Sequence, residues 1–234
     1  MKRTKEKKDT IMVIAPCYNE KENIDFFVKE WCSLLEPHNG TLCIINDGST
    51  DLSSSKLQSL SLKHSNLIVL SSKNEGHGKA CLKGFRYALK QNIDWVFQVD
   101  TDNEIPSSFF PLFWESRKKH LVIKGVRSNR YDFLRKLASF FYNKIISFFF
   151  YKPLRDLNCP YRMISSCKLS EFIHNTKNFN HTFININLSL YHNEAFEIEI
   201  SSWKRTKGES SFNLSFIFKN FLTLLKDLIR LKKK

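Results

Sequence analysis

The sequence lacks the features that mark a secreted or membrane-spanning chain. The first ten residues are rich in charge and contain no apolar signal core. No apolar run reaches the roughly 20 residues that a membrane-spanning helix needs, because the best candidate, residues 137–151, is interrupted by Ser, Asn and Lys. The six cysteines are scattered without a C-x-x-C pair, as is typical of reduced thiols. We therefore expect a cytosolic chain that does not cross a membrane by itself.

Internal repeats and low-complexity linkers are also missing, so a single main domain is the expectation for 234 residues. Acidic residues are few relative to basic ones, since 23 Asp+Glu against 37 Lys+Arg leave a formal charge of +14. Such an excess suits nucleic acid, an anionic membrane surface or phosphorylated small molecules. The basic residues form no known nucleic-acid motif and do not line one face with interleaved aromatics. We therefore expect no nucleic-acid partner.

Strand and helix patterns alternate over the first hundred residues. The predicted strands are 10–15, 42–45, 67–70 and 95–99, and the predicted helices are 23–35, 52–62 and 78–89. This alternation predicts an α/β fold with a mainly parallel central sheet flanked by helices. In such sheets ligands bind at the carboxyl ends of the strands.

The second half has a short predicted strand at 121–123, a helix at 134–150, an alternating strand at 196–200 and an amphipathic helix from 213 that ends in Lys232–Lys234. The apolar faces of the two helices suit either the protein core or a membrane interface, and both interpretations stay open. We divide the chain into a disordered basic lead (1–9), one α/β domain (10–212) and a basic amphipathic helix (213–234).

Polar motifs follow the first four predicted strands. They are P-C-Y-N-E at 16–20, N-D-G-S-T-D at 46–51, N-E-G-H-G-K at 74–79 and D-T-D-N-E at 100–104. In the last motif, Asp100, Asp102 and Glu104 alternate, so their carboxylates can point to one side. Carboxylate oxygens suit Mg²⁺ or Mn²⁺. A D-x-D alone is more typical of a solvated acidic turn, so both interpretations stay open for the residues by themselves.

In order and spacing these motifs resemble the nucleotide-sugar-dependent glycosyltransferases of family 2, whose Rossmann-like fold is called GT-A. Two downstream segments, D-L-N-C-P-Y-R at 156–162 and R-T-K-G-E-S at 205–210, are similar to motifs of the polyprenyl-phosphate branch, which contains dolichol-phosphate mannose synthase. The resemblance covers about residues 10–212.

The resemblance implies a set of site residues. The donor-binding set is Pro16, Tyr18, Glu20, Asp47, Gly76, Gly78, Lys79, Asp100 and Arg127; the metal set is Asp100, Asp102 and Glu104; the catalytic set is Asp102, Asp156, Arg162 and Arg205. Asp102 is implied as the principal metal ligand and Asp47 as a contact to the base or ribose. Further candidate phosphate contacts are Arg130 and Lys207.

Four positions, in three segments, depart from the family pattern. Asn46 stands where the second motif often has its first Asp, and Asn187 stands where relatives often have Glu. Cys159-Pro160 replaces Ser-Gly in the downstream motif, so we give more weight to Asp156 and Arg162 than to the residues between them.

The predicted function is an inverting, metal-dependent hexosyltransferase that moves a sugar from a nucleoside diphosphate sugar to a polyprenyl phosphate, dolichyl or undecaprenyl. Residues 174–193 contain no carboxylate, where relatives that glycosylate hydroxyls carry a general base; a phosphate acceptor is already an anion, although Asp156 could still serve as a base. We expect the protein at the cytoplasmic face of the membrane, and a separate membrane subunit is compatible with this role. The alternatives are transfer to a saccharide hydroxyl in cell-surface polysaccharide or lipopolysaccharide assembly, and an inactive nucleotide-sugar-binding module.

Overall fold

The computed structural model of the protein describes residues 8–128, 146–147, 154–203 and 226–231. The described strands are β1 (Ile11–Cys17), β2 (Thr41–Asp47), β3 (Leu67–Ser72), β4 (Trp95–Gln98), β5 (Val122–Arg127), β6 (Arg162–Ser165) and β7 (Phe196–Ile200). The described helices are α1 (Ile24–Leu35), α2 (Ser53–Ser61), α3 (His77–Lys90), α4 (Phe110–Ser116), α5 (Ser166–Asn175) and α6 (Ile184–Tyr191), and residues 226–231 are also helical.

The strands form one sheet in the order β3-β2-β1-β4-β6-β5-β7. The pairs β1–β2, β2–β3, β1–β4 and β5–β7 are parallel. Only β6 is antiparallel to its neighbours β4 and β5 within the described sheet. The predicted α/β fold with a mainly parallel sheet is confirmed.

The sheet is buried on both faces because helices pack on either side of it. Along β1, Ile11 and Val13 face one apolar cluster together with Phe27 and Trp31 of α1. Met12 belongs to a second cluster on the opposite face, with residues of α3. This alternation follows the two-residue period of a strand, and it explains why β1 is a continuous apolar run.

The β–α alternation predicted for residues 10–99 is present in the structure as β1 to β4 and α1 to α3. The predicted strand at 196–200 matches β7, and that at 121–123 is the start of β5. Strand β6 and helices α4 to α6 have no counterpart in the sequence-based prediction. Of the predicted helix 134–150, only residues 146–147 lie within the described residues, where they are helical.

The described part of the C-terminal segment packs into the protein. Leu228 and Leu231 are buried in a cluster with Ile186 of α6. Asp227 of this segment is only 2% exposed and accepts a hydrogen bond from Asn187 at 3.3 Å. Its carboxylate therefore points towards α6. No helix among the described residues is long and apolar enough to cross a membrane.

Candidate active site

The loops that follow β1 and β2 are joined by hydrogen bonds at the carboxyl edge of the sheet. The side-chain oxygen of Asn19 accepts the backbone N–H of Thr50 at 2.8 Å, and the N–H of Glu20 donates to Ser53 Oγ at 2.8 Å. Asn46 is buried, and its side-chain oxygen accepts the N–H of Ser49 at 3.1 Å. An Asp at this position could accept the same hydrogen bond, so Asn46 keeps the turn intact.

Asp47 connects the β2 loop to the next one. Its two carboxylate oxygens accept the backbone N–H groups of Glu75 and Gly76 at 2.9 and 2.8 Å, and the side chain is buried. In the described structure its carboxylate therefore holds the loop before α3 in place. Its implied contact with a base or ribose stays a prediction.

Gly78 allows a close approach of two backbone segments. A Cβ atom built on Gly78 would lie 1.8 Å from the carbonyl oxygen of His181. The resemblance implies that Gly78 belongs to the donor-binding set; in the structure, the segment that its Cβ would meet belongs to the protein itself. Gly76 differs, because its φ of 91° favours glycine while its Cβ position is open.

An acidic turn, residues 100–104, follows β4 and lines a pocket. Asp102 accepts the backbone N–H of Glu104 at 3.1 Å, and Thr101 Oγ1 donates to the carbonyl of Pro16 at 3.1 Å, which anchors the turn to β1. The pocket is lined by Trp31, Val99, Asp100, Asp102, Glu104, Ile105, Arg127, Pro160 and Tyr161. Three carboxylates and one guanidinium thus share a small concave surface.

Arg127, at the end of β5, is held in the pocket wall by Asp156. Its Nε and Nη2 donate to the two carboxylate oxygens at 2.7 and 2.8 Å, and its backbone N–H donates to Oδ2 at 3.0 Å. Burial disfavours the charged guanidinium, but the hydrogen bonds and charge of Asp156 outweigh it and raise the pKa of Arg127 above its usual range. Arg127 is therefore a fixed cation.

His77, the first residue of α3, contacts the acidic turn. Its Nε2 lies 2.9 Å from Oδ1 of Asp100, and its ring packs against the sulfur of Cys81 one turn further along the helix. Desolvation opposes a charge on the ring, but Cys81 and Asp100 outweigh it and raise the pKa of His77. This contact joins the loop after β3 to the loop after β4.

Arg162 lies behind the pocket and does not line it. It is 3% exposed, and its Nη2 donates to the carbonyls of Cys159 and Asn185 at 2.7 and 3.1 Å. Burial lowers the pKa of Arg162 to about 10. Within the downstream motif, Pro160 and Tyr161 line the pocket and Asp156 binds Arg127, while the catalytic roles implied for Asp156 and Arg162 stay predictions. Side chains alternate along a strand, so Tyr161 and Arg162 point to opposite faces.

The chemistry of the acidic turn fits a hard divalent cation, since its lining oxygens are carboxylates in an open pocket. Within the described residues, no group of three or more His, Cys, Asp or Glu side chains is arranged to hold a metal ion by itself. A cation bound to Asp100 and Asp102 would therefore complete its coordination with water or substrate oxygens, as Mg²⁺ commonly does.

Residues 12–172 match the model of glycosyl transferase family 2. The chain belongs to this family. The predictions of a family 2 protein and of a glycosyltransferase are thereby confirmed, and within the matched region lie the acidic turn, Arg127 and Asp156. This match covers the family as a whole and does not distinguish its polyprenyl-phosphate branch.

Solved structures of glucosyl-3-phosphoglycerate synthase from Mycobacterium tuberculosis share the fold. The complex with phosphoglyceric acid has a TM-score of 0.67 at 16% identity, covering 94% of this chain and 80% of that one. The complex with Mn²⁺, UDP and phosphoglyceric acid has a TM-score of 0.68 at 15% identity, covering 94% and 78%. At this identity the likeness concerns the fold, and it confirms the predicted GT-A architecture of this family 2 chain.

The structure brings together part of the predicted site. Asp100, Asp102, Glu104 and Arg127 line one pocket. The other predicted residues are placed around it or away from it: Pro16 and Glu20 are buried, Tyr18 is 43% exposed, and Lys79 is exposed and lies 3.5 Å from Glu75. Arg205, Arg130 and Lys207 lie outside the described residues.

Trp31 and Tyr161 line the pocket and His77 contacts Asp100 in its lining, yet the sequence predicted none of the three as a site residue. Trp31 belongs to the apolar stripe of a predicted helix, yet it also reaches the pocket from α1. Tyr161 lies in the downstream motif at 156–162, and the similarity of that motif to the family was the feature that could have indicated it as a site residue. His77 stands inside the G-x-G motif, but nothing in the pattern indicated that it contacts Asp100.

Proposed function

We propose that this family 2 glycosyltransferase moves a hexose-type sugar from a nucleoside diphosphate sugar to a polyprenyl phosphate, with inversion at the anomeric carbon. The observation that carries the proposal is the pocket in which Asp100, Asp102, Glu104 and Arg127 meet at the carboxyl edge of the sheet. Clefts at this edge are the ligand sites of open α/β sheets. The UDP and Mn²⁺ present in the mycobacterial synthase structure support the same donor chemistry.

Asp100 and Asp102 are the residues we assign to a divalent cation, Mg²⁺ or Mn²⁺. When bound, the cation supplies positive charge where the departing diphosphate accumulates negative charge. Arg127 contributes a second cation to the same pocket. Because its Nε and Nη2 are engaged by Asp156, Nη1 is the edge of the guanidinium that remains for a phosphate oxygen.

The transfer step then exchanges one bond for another. An acceptor oxygen forms a bond to the anomeric carbon while the bond from that carbon to the diphosphate oxygen breaks, and the diphosphate takes the electron pair. A preorganised cationic environment stabilises this charge without reorganising. An acceptor phosphate is already ionised, so no proton has to be removed from it.

An ionised acceptor would make a general base in this pocket unnecessary. All three carboxylates of the pocket belong to the turn of residues 100–104, and Asp156, the further candidate base, is bound to Arg127 through both of its oxygens. With Asp100 and Asp102 on a cation, Glu104 is the carboxylate left in the described lining to act as a general base for a hydroxyl. A polyprenyl phosphate avoids this requirement.

A phosphorylated hydroxy acid is a second candidate acceptor. The observation in its favour is that structures of the same fold were solved with phosphoglyceric acid bound. In that case Glu104 would take the proton of the acceptor hydroxyl. Transfer to a saccharide hydroxyl and an inactive nucleotide-sugar-binding module are the remaining alternatives.

A partition assay separates these acceptors. The protein is incubated with radiolabelled nucleotide sugars and Mn²⁺, together with undecaprenyl phosphate, 3-phosphoglycerate or an oligosaccharide. We expect label in the organic phase with the lipid acceptor. Label only in phosphorylated acid or in glycan would contradict the lipid acceptor, and donor binding with no transfer to any of the three would favour the inactive module.

Changing Asp102→Ala tests the metal assignment. We expect the variant to lose Mn²⁺-dependent binding of UDP, measured by calorimetry, together with all transfer. Glu171→Ala, an exposed acid of α5, is the matched control and should behave like the parent. Retained Mn²⁺-dependent binding in Asp102→Ala would remove Asp102 from the metal site.

The proposal includes a cytoplasmic protein that meets its lipid acceptor at the membrane surface, with or without a separate membrane subunit. The formal charge of +14 supports attraction to anionic headgroups. Co-sedimentation with vesicles containing phosphatidylglycerol should fall as salt is raised. Equal recovery with neutral and anionic vesicles would contradict this attraction.

A further inference from the structure

His77 connects three of the motifs that follow the strands. Asp47 of the second motif binds the backbone N–H of Gly76 at 2.8 Å, which fixes the loop from which α3 begins. His77 is the next residue, and its Nε2 lies 2.9 Å from Oδ1 of Asp100 in the fourth motif. The backbone of the third motif is thus fixed by Asp47 on one side. On the other side, the His77 side chain of this motif reaches the acidic turn.

The ring of His77 is held in place by its own helix. Sγ of Cys81, one helical turn along α3, lies 3.8 Å from Nδ1 and 3.9 Å from Nε2. Cys81 is buried in the protein core, so the surrounding side chains hold its sulfur in one position. A ring that is packed on one face and bonded at one nitrogen has few orientations available, and it therefore restricts the carboxylate that it contacts.

We propose that His77 is a positioning residue for the cation: its Nε2–H holds one oxygen of Asp100, so that the carboxylate presents its other oxygen to the metal. This inference rests on the proposed metal-dependent function. Carboxylates that bind metals are commonly held by a hydrogen bond of this kind, and its loss lowers metal affinity or activity by about 10-fold to 100-fold.

Metal affinity measured without donor or acceptor tests the role directly. Mn²⁺ binding to the full-length protein is followed by electron paramagnetic resonance of the unbound ion. We expect His77→Ala to bind Mn²⁺ about 10-fold to 100-fold more weakly than the parent. His174→Ala, an exposed histidine of α5, should bind like the parent, and thermal unfolding checks that both variants are folded.

Two conservative variants distinguish positioning from mere packing. In His77→Gln the amide nitrogen of the new side chain can reach the place of Nε2, whereas in His77→Asn the amide nitrogen corresponds to Nδ1 and falls short of Asp100. We expect His77→Gln to recover most of the Mn²⁺ affinity and His77→Asn to recover little. Equal affinities in the two variants would overturn the proposal.

The outcomes for this residue and for the proposed function are separable. If the parent binds Mn²⁺ and His77→Ala binds it equally or more tightly, the positioning role is wrong while the metal site stands. Tighter binding would show that His77 competes with the cation for Asp100. If neither the parent nor His77→Ala binds Mn²⁺, the metal-dependent function fails and the positioning role fails with it.

Discussion

Arg127 and Asp156 form a two-pronged ion pair, with Nε 2.7 Å from Oδ2 and Nη2 2.8 Å from Oδ1. Their side chains are 12% and 7% exposed. The pair ties the end of β5 to the segment before β6, and it fixes the direction of the guanidinium in the pocket wall. The stability of each buried charge depends on the other, because removing one partner would leave the other charge buried and uncompensated.

Changing Asp156→Asn should therefore lower the free energy of unfolding by roughly 3 kcal/mol, the lower end of the cost of breaking a buried pair. Asn is chosen because the backbone at this position has a φ of 36°, a conformation that Asn tolerates better than most residues. Urea unfolding followed by circular dichroism measures the change.

The double variant Arg127→Gln with Asp156→Asn is the control for that prediction. It leaves no uncompensated charge, so it should be less destabilised than the single Asp156→Asn variant. A double variant that is destabilised by the sum of the two single changes would show that the residues do not act as a pair.

Gly78→Ala should destabilise the protein, because the added Cβ would lie 1.8 Å from the carbonyl oxygen of His181. Moving that backbone costs roughly 2 kcal/mol, as other overpacking changes do. Gly76→Ala is the comparison variant, since its Cβ meets nothing within 4 Å and its cost comes from the backbone alone, with φ 91° and ψ 156°, a region that costs other residues about 1 to 3 kcal/mol. If Gly78→Ala unfolds at the same urea concentration as the parent, the close contact at Gly78 does not limit this position.

The first half of the fold was predictable because its signals are local. Each of β1 to β4 is an apolar run followed by polar residues, and the helices between them show a 3.6-residue period. Strand β6 has only four residues and directly precedes α5, so it offers no period to detect. Helix α6 reads I-N-I-N-L-S-L-Y and is buried on all sides except at its last residue, which removes the polar face that marks a surface helix.

The site residues were predictable from the sequence only where they lie close together along the chain. Asp100, Asp102 and Glu104 belong to one turn, so the motif predicted them together. Tyr161 lines the same pocket and directly precedes β6, which pairs antiparallel with β4 so that Arg162 lies opposite Gln98. That pairing joins residues more than 60 positions apart. The apolar and polar spacing within a short segment therefore cannot predict it.

The buried imidazole of His192 makes the free energy of unfolding depend on pH. Its Nε2 is buried without a hydrogen-bond partner among the described residues, and burial lowers its pKa from 6.5 to about 4. The unfolded chain therefore binds more protons than the folded one between these values, and stability is lost as pH falls from about 6.5 towards 4. We expect up to about 2 kcal/mol from this residue alone.

The variant His192→Phe isolates that contribution. Other acidic and basic groups titrate equally in parent and variant, so the difference between their unfolding free energies at pH 7.5, 5.5 and 4.5 reports His192. The variant should lose less stability on acidification than the parent. An identical slope for both proteins would mean that His192 is protonated as readily in the folded state as in the unfolded state.

Two neighbouring residues of the C-terminal segment decide whether its described part belongs to the core. Leu228 is 7% exposed and packs with Leu190 and Ile186 of α6, whereas Ile229 is 56% exposed. Leu228→Ala should lower the free energy of unfolding by about 2 to 3 kcal/mol, because it leaves a cavity, and Ile229→Ala should change it by less than about 0.5 kcal/mol. Urea unfolding and vesicle co-sedimentation are measured on both variants. If Leu228→Ala reduces vesicle binding and leaves stability unchanged, this residue faces lipid and the packing against α6 is wrong.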